Sequence, residues 1–353
     1  MSSASSSLLR VDNLRITFLV DNSIEWFTKL PPGFSSELSQ HLTKHSPPID
    51  DVTGVPFVDL ENYCCGAHGF SALIETQVEG SEPHTILFDT GPDSKSIIRN
   101  VESMQVKVDI IERIILSHWH GDHSGGLLSF LRYRKNKSPD VRTISVDLHP
   151  NRPIARGIAP PPGDKVIGRL PEEPTFDEIK ELGATVELHT EPHVVAGSTV
   201  YVSGEIPRVT EFEHGLLGGA WTSEPHIMDE RYAAIDVLGK GLVIFSACSH
   251  AGIVNVITDA VKTFQRPIHM VIGGLHLGGP ELASRIPPTI DFLSNRLRPS
   301  PTYVLPMHCS GFAAKVALEA ALGEGCVPAG VGISVHVKGD AKTDTKLFAP
   351  VIA

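Results

Sequence analysis

The sequence predicts an α/β fold of mixed strands and helices, a four-layer αββα sandwich with two sheets back to back and helices outside. Three observations point there. Short apolar runs of strand length alternate with helix-length periodic segments along the whole chain. That alternation falls into two similar halves. And 41% of the 353 residues are apolar, ample material for a core.

Each element has a local reason. Residues 14–20 alternate and then run apolar, as an opening strand should, and Asp21-Asn22 ends it. Before it, Met1-Ser2-Ser3-Ala4-Ser5-Ser6-Ser7 opens a polar tail, expected to be disordered over 1–13. Residues 14–353 then read as one domain with insertions near 29–58 and 150–180. The first, rich in Pro, Ser and His without a period, reads as a long loop and candidate lid with partial helix at 35–44. Residues 70–75 and 85–91 read as a hairpin, 94–104 as a helix, 112–117 as a strand, 125–134 as a helix and 141–148 as a strand. Pro153, Pro160, Pro161, Pro162, Pro171 and Pro174 make 150–175 an irregular surface excursion. Strands follow at 185–189 and 199–203. In the second half 232–237 and 241–245 pair across Gly239-Lys240, then come helix 254–264, strand 269–272, helix 286–297, strand 302–305 and helix 311–322.

Composition narrows the function. A dispersed net charge of −11 argues against a nucleic-acid surface, which needs clustered Lys and Arg. Five irregularly spaced cysteines do not make a disulfide framework, so a reduced, cytoplasmic setting is expected. The first residues lack a basic region followed by an apolar stretch, so no secretory signal is expected, and no apolar run is long enough to span a membrane.

The chemistry is concentrated in Ser117-His118-Trp119-His120-Gly121-Asp122-His123-Ser124-Gly125-Gly126, directly after the apolar run Ile114-Ile115-Leu116. His118 and His120, two apart in extended backbone, project from one face. Asp122 and His123 follow a glycine that lets the chain turn. Imidazoles and a carboxylate so placed suit a pair of adjacent metal sites, zinc foremost, with iron or manganese also suited. This H-x-H-x-D-H pattern resembles the signature of the metallo-β-lactamase superfamily, and the resemblance runs from about residue 14 to 335. It implies the same αββα sandwich.

Two sites need further ligands, expected at strand ends in the second half. Phe245-Ser246-Ala247-Cys248-Ser249-His250 supplies His250 as a ligand, with Cys248 a ligand or core residue. Gly273-Gly274-Leu275-His276 supplies His276 as the next ligand, and Pro306-Met307-His308-Cys309 supplies His308 as its replacement or as a substrate contact. A narrower resemblance rests on Ala67-His68-Gly69-Phe70-Ser71, Phe88-Asp89-Thr90-Gly91, Ser203-Gly204-Glu205-Ile206-Pro207-Arg208, Cys248-Ser249-His250-Ala251-Gly252, Gly273-Gly274-Leu275-His276-Leu277 and His308-Cys309-Ser310-Gly311 in that order. Together they resemble the subfamily named for 7,8-dihydropterin-6-methyl-4-(β-D-ribofuranosyl)aminobenzene 5′-phosphate synthase. The resemblance implies that Asp89 holds a metal-binding imidazole by its other nitrogen. Cys248 stands where many relatives place an aspartate that bridges two ions. His68 is a candidate pocket residue, Arg208 and Glu205 candidate substrate contacts, and Trp119 a pocket wall or a packing residue.

The expected ligand set is therefore His118, His120, Asp122, His123, His250 and His276 around two divalent ions, with Asp122 also catalytic. The expected activity is hydrolysis of a small ester, lactone or phosphoester by a metal-activated hydroxide. The alternatives are a lyase or synthase on a pterin-like or phosphorylated substrate, a di-iron redox protein, and a non-catalytic binding module. The expected partner is a small molecule, with no nucleic acid and no membrane.

Overall fold

The computed structural model describes residues 3–45, 47–138, 142–158, 165–213 and 227–353. Two large sheets form the centre. The first has eight strands in the order Phe34–Ser35, Ser334–Lys338, Asn13–Val20, Ser71–Gln77, His84–Phe88, Ile111–Ile115, Ser145–Leu148 and Thr185–Leu188. Its first half is antiparallel; from His84–Phe88 onward it is parallel. The second has six, His193–Val195, Val200–Val202, Ala233–Val237, Gly241–Ser246, Ile268–Gly274 and Tyr303–Met307, of which the last three are parallel.

The period-two alternation of side chains builds the layers. Phe88 and Ile115 of one sheet, with Phe245, Ile272 and Leu305 of the other, face inward into one shared core. There the rings of Phe88 and Phe245 lie 5.9 Å apart. Their neighbours point outward. Leu87 and Ile114 pack under the helices Ser94–Ser103 and Leu127–Lys137 through Ile97, Val101, Phe130 and Leu131. Ile244, Val271 and Val304 pack under Ile253–Phe264 and Phe312–Leu322 through Val254, Ile257, Ala314 and Leu318. Helix, sheet, sheet, helix is the four-layer arrangement the sequence predicts.

Three expectations need correction, and one strand was not expected. Residues 3–13 are not a disordered tail: Ser3–Ser7 is a short helix, Leu9 N–H donates to Ser198 O at 2.8 Å, and Val11 is fully buried. The polar run is brief, and the apolar residues behind it find a core to cover. The helix expected at 125–134 is split into Gly121–Ser124 and Leu127–Lys137. Gly125 and Gly126 lie at the join, where a Cβ on either would meet the backbone oxygens of Pro92 and Thr90. The 29–58 insertion is not a lid over the histidines. Phe34–Ser35 extends the first sheet, Glu37–Thr43 is a helix capped by Ser36, and His41, Pro48, Phe57 and Val58 line a separate cavity of about 550 Å³. A strand at Ser334–Lys338, unforeseen, inserts beside Asn13–Val20. Pro160, Pro161, Pro162 and Val141 lie outside the described residues.

Candidate metal centre

Strand Ile111–Ile115 delivers the histidine loop at its carboxyl end. Ser117 N–H and Oγ–H both donate to the Asp89 carboxylate at 2.7 Å, fixing the start of the loop. His120 caps the turn Gly121–Ser124, its carbonyl accepting from the N–H of His123 and Ser124 at 2.9 Å. That turn carries Asp122 and His123 to the neighbouring position.

The side chains form two adjoining groups. In the first, His118 Nε2, His120 Nδ1 and His250 Nε2 converge at 3.0, 3.1 and 3.1 Å from one another. In the second, Asp122 Oδ2 lies 3.2 Å from His308 Nε2 and 3.7 Å from His123 Nε2. Cys248 Sγ completes it, 3.2 Å from His123 Nε2. The His118 and His123 rings, 4.4 Å apart, place the groups side by side.

The electrostatics follow from burial and neighbours. Burial pushes His118, His120 and His250 well below the usual histidine range, and each is further disfavoured as a cation by the other imidazoles and by Arg156. Neutral nitrogens with free lone pairs are what a metal needs. Burial opposes charge on His123 too, but Asp122 and Asp89 on either side raise it to about 9. Burial likewise works against Asp122, yet His123 and His308 beside it hold its carboxyl well below the usual carboxylate range. The second group thus favours positive charge at its centre.

Asp89 takes the position expected of it. Besides Ser117 it accepts from His123 Nδ1 at 2.8 Å, which turns Nε2 toward Asp122 and Cys248. Ser117 Oγ in turn sits 2.9 Å from His118 Nδ1, leaving His118 Nε2 for the first group. One carboxylate so orients an imidazole in each group. It does this from the left-handed region at φ 59°, a backbone conformation aspartate tolerates better than most residues.

Of the two strand-end histidines, His308 and not His276 lies beside Asp122 and His123. His308 joins the second group, while His276 groups with Cys248 and Cys309. Sequence distance from the preceding motif does not say which strand end turns toward the loop; Asp21 decides it, accepting the His308 N–H at 2.7 Å and drawing that turn inward. His68 lies at the rim, its Nε2 3.7 Å from Asp122 Oδ2. Trp119 is a packing residue, buried against Phe176 with its Nε1–H donated to His149 O at 2.7 Å. Glu205 is exposed, and Arg208 is turned to Met228 Sδ and the Ile227 carbonyl, so neither lines the cavity beside the metal groups.

The run Asp229-Glu230-Arg231 was missed. Asp229 accepts from Trp119 N–H at 2.6 Å, and Glu230 accepts from His250 and Ala251 N–H at 2.8 and 2.7 Å. Arg231 donates to Leu116 O at 2.6 Å and to Asp147 at 2.8 Å. One tripeptide clamps both histidine loops. Its signal was three consecutive charges directly ahead of an apolar strand, an unusual place for groups that must be paired when buried.

A cavity of about 780 Å³ opens beside the groups, lined by His68, His120 and Asp122 and by residues 156–157 and 170–175 of the second insertion. That insertion, unlike the first, shapes the pocket. Its size suits a small organic molecule.

The profile of the metallo-β-lactamase superfamily matches residues 69–209. The chain is 31% identical over 258 residues to the 7,8-dihydropterin-6-methyl-4-(β-D-ribofuranosyl)-aminobenzene-5′-phosphate synthase of Methanocaldococcus jannaschii, covering 70% of this chain and 82% of that protein. An uncharacterised protein of the same organism is also 31% identical, over 71% of this chain and 87% of its own length. Among solved structures, Tm1679, a metal-dependent hydrolase of the β-lactamase superfamily, aligns with a TM-score of 0.60 at 19% identity over 92% of this chain and 99% of its own. The metallo-β-lactamase fold protein YhfI of Bacillus subtilis aligns at 0.50 and 10% identity over 92% and 100%. The chain belongs to the metallo-β-lactamase superfamily and has its fold. No helix among the described residues is long and apolar enough to cross a membrane.

Proposed function

We propose that this chain is a binuclear metal-dependent hydrolase of small esters, lactones or phosphoesters. The observation that carries the reading is the convergence of His118, His120 and His250 within 3.1 Å of one another, beside Asp122, His123, Cys248 and His308. The donors fit divalent ions: buried neutral imidazoles in one group, and in the other a carboxylate, a thiol and two imidazoles. His308 is buried with its Nε2 3.2 Å from Asp122 Oδ2, so both donor atoms face the same point. Zinc suits this set, and each group supplies at least three protein ligands.

When bound, such ions supply Lewis acidity and make water acidic enough to be a nucleophile at neutral pH. The chain's own residues do the rest. Asp122, kept ionised, orients the attacking water by accepting its hydrogen bond. His68, exposed at the cavity mouth and held below the usual histidine range by partial burial and by the neighbouring His308, carries a proton to or from solvent. The walls of the cavity hold the substrate against the two groups.

A second reading, a synthase on a pterin-like or phosphorylated substrate, is favoured by the printed activity of the M. jannaschii relative, which the chain matches over most of both lengths. Elemental analysis comes first, with about two metal equivalents per chain expected and fewer in His250→Ala. Turnover of esters, lactones and phosphoesters follows, with Asp122→Ala expected to lose about a hundredfold or more in kcat while remaining folded. Full activity in Asp122→Ala, or no metal after reconstitution, would sink the hydrolase reading.

A further inference from the structure

Arg156 is the unexplained charge of the cavity. It comes from the second insertion, is 9% exposed and lines the space that also holds His120 and Asp122. Its Nε–H has no hydrogen-bond partner, and its nearest carboxylate oxygen, Glu173 Oε1, is 3.9 Å away, beyond hydrogen-bond reach. A guanidinium carries donors in a rigid fork and cannot shed its charge, so leaving it buried and underused is expensive. The acids around it are engaged elsewhere. Asp229 accepts from Trp119 N–H at 2.6 Å, Glu173 accepts from Ser124 Oγ, and Asp122 lies against His123 and His308. Arg156 also lies near enough to the metal groups to disfavour charge on His118, His120 and His250. Arg208 is occupied by Met228 and Ile227 and is not available for this task.

We infer that Arg156 receives an oxyanion on the substrate, a carboxylate or a phosphate remote from the bond being cleaved, and so selects anionic substrates. The inference rests on the hydrolase reading for its chemistry but not for its binding. A planar fork matches either oxyanion with paired charge-assisted hydrogen bonds. It places one end of the molecule at the inserted segment while the other end reaches Asp122. The residue is a determinant of specificity and takes no part in bond cleavage.

The experiment has two arms. In the first, three p-nitrophenyl esters share one scissile bond and differ in the tail: neutral butyrate, glutarate with a free carboxylate, and 4-phosphonobutyrate. The expected result is a preference for an anionic tail, its kcat/KM ratio over butyrate falling by about tenfold or more in Arg156→Gln, the loss of one charged hydrogen-bonded contact. The better of the two anionic esters identifies the oxyanion. In the second arm, calorimetric titration of the purified protein with glutarate and with inorganic phosphate reads binding without turnover. Arg156→Gln is expected to weaken the tighter of them by the same factor. Arg156→Lys, which keeps the charge and loses the fork, is expected to fall between, and it decides the matter if circular dichroism shows Arg156→Gln misfolded. An unchanged ester ratio or unchanged anion binding in a folded variant overturns the inference. If no ester is cleaved by the wild type but anion binding still depends on Arg156, the hydrolase reading fails and this one stands.

Discussion

At the scale of residues, the centre depends on carboxylates that hold its histidines in place. Asp89 accepts three hydrogen bonds, from Ser117 N–H, Ser117 Oγ–H and His123 Nδ1–H, and through them sets one imidazole in each group. Asp89→Asn keeps the size but turns an N–H₂ toward donors. Metal affinity is expected to fall about 10- to 100-fold, the usual consequence of losing such a partner, measured by competition with a chromophoric chelator. Unchanged affinity would mean that Ser117 and the loop alone hold the ligands. The clustered side chains were legible in the sequence because His118, His120, Asp122 and His123 crowd into one turn, and His250 ends a strand in small residues. Their supports were not. Asp21 stands 287 positions from the His308 it anchors, and Glu230 is 20 from His250; no local pattern marks either. His276 and His308 look alike as strand-end histidines, and the contact with Asp21 that separates them exists only in three dimensions.

At the scale of elements, strands and helices were readable where one period persists. Residues 94–104 and 254–264 were foreseen as helices almost to the residue, because apolar positions recur every three to four. The strand Ser334–Lys338 alternates too, but its partner Asn13–Val20 lies at the other end of the chain, and pairing across that distance has no sequence signature. The helix Ile253–Phe264 offers an element-scale test. Its N-cap, Gly252, has no side chain to cap with, and Glu213 does so from a distant loop, accepting from Val254 and Asn255 N–H at 3.0 and 3.1 Å. Burial raises the Glu213 carboxyl to about 7, against the pull of those two N–H groups. Between its ordinary value and pH 7 the folded chain therefore keeps a proton that the unfolded chain has released. Stability contributed here is lost as pH rises through that window, by an amount on the order of 3 kcal/mol. Glu213→Gln cannot titrate. The gap between wild type and variant in urea denaturation should shift against the wild type from about pH 4.5 to pH 7 and then level off. Parallel stability curves across that window would show that Glu213 is solvated and does not act as a buried cap.

At the scale of the whole molecule, the two halves of the chain share one interior. The central core takes Phe18, Ile74 and Phe88 from the first sheet and Ile235, Phe245 and Ile272 from the second, all fully buried. Burying each such side chain stabilises the fold by roughly 1.5–3 kcal/mol, and none can be exposed without opening both sheets. Ser334–Lys338 adds a chain-end strand to the sheet of the first half, so the last segment of sequence closes the first. The metal groups lie across the same seam, with His118 and His120 from a loop of one sheet and His250 from a loop of the other. We therefore expect residues 14–353 to unfold as one domain, in a single calorimetric transition with matching calorimetric and van't Hoff enthalpies. Under the binuclear reading, ions held across the seam would be coupled to that transition. With free ion a thousandfold above its dissociation constant, each site adds on the order of 4 kcal/mol to the folded state. Chelation should thus lower the midpoint of the whole transition without splitting it, and His250→Ala should blunt the response to added zinc. Two resolved transitions, only one of which moves with chelator, would show instead that the sheets fold independently and that the ions are held within one of them.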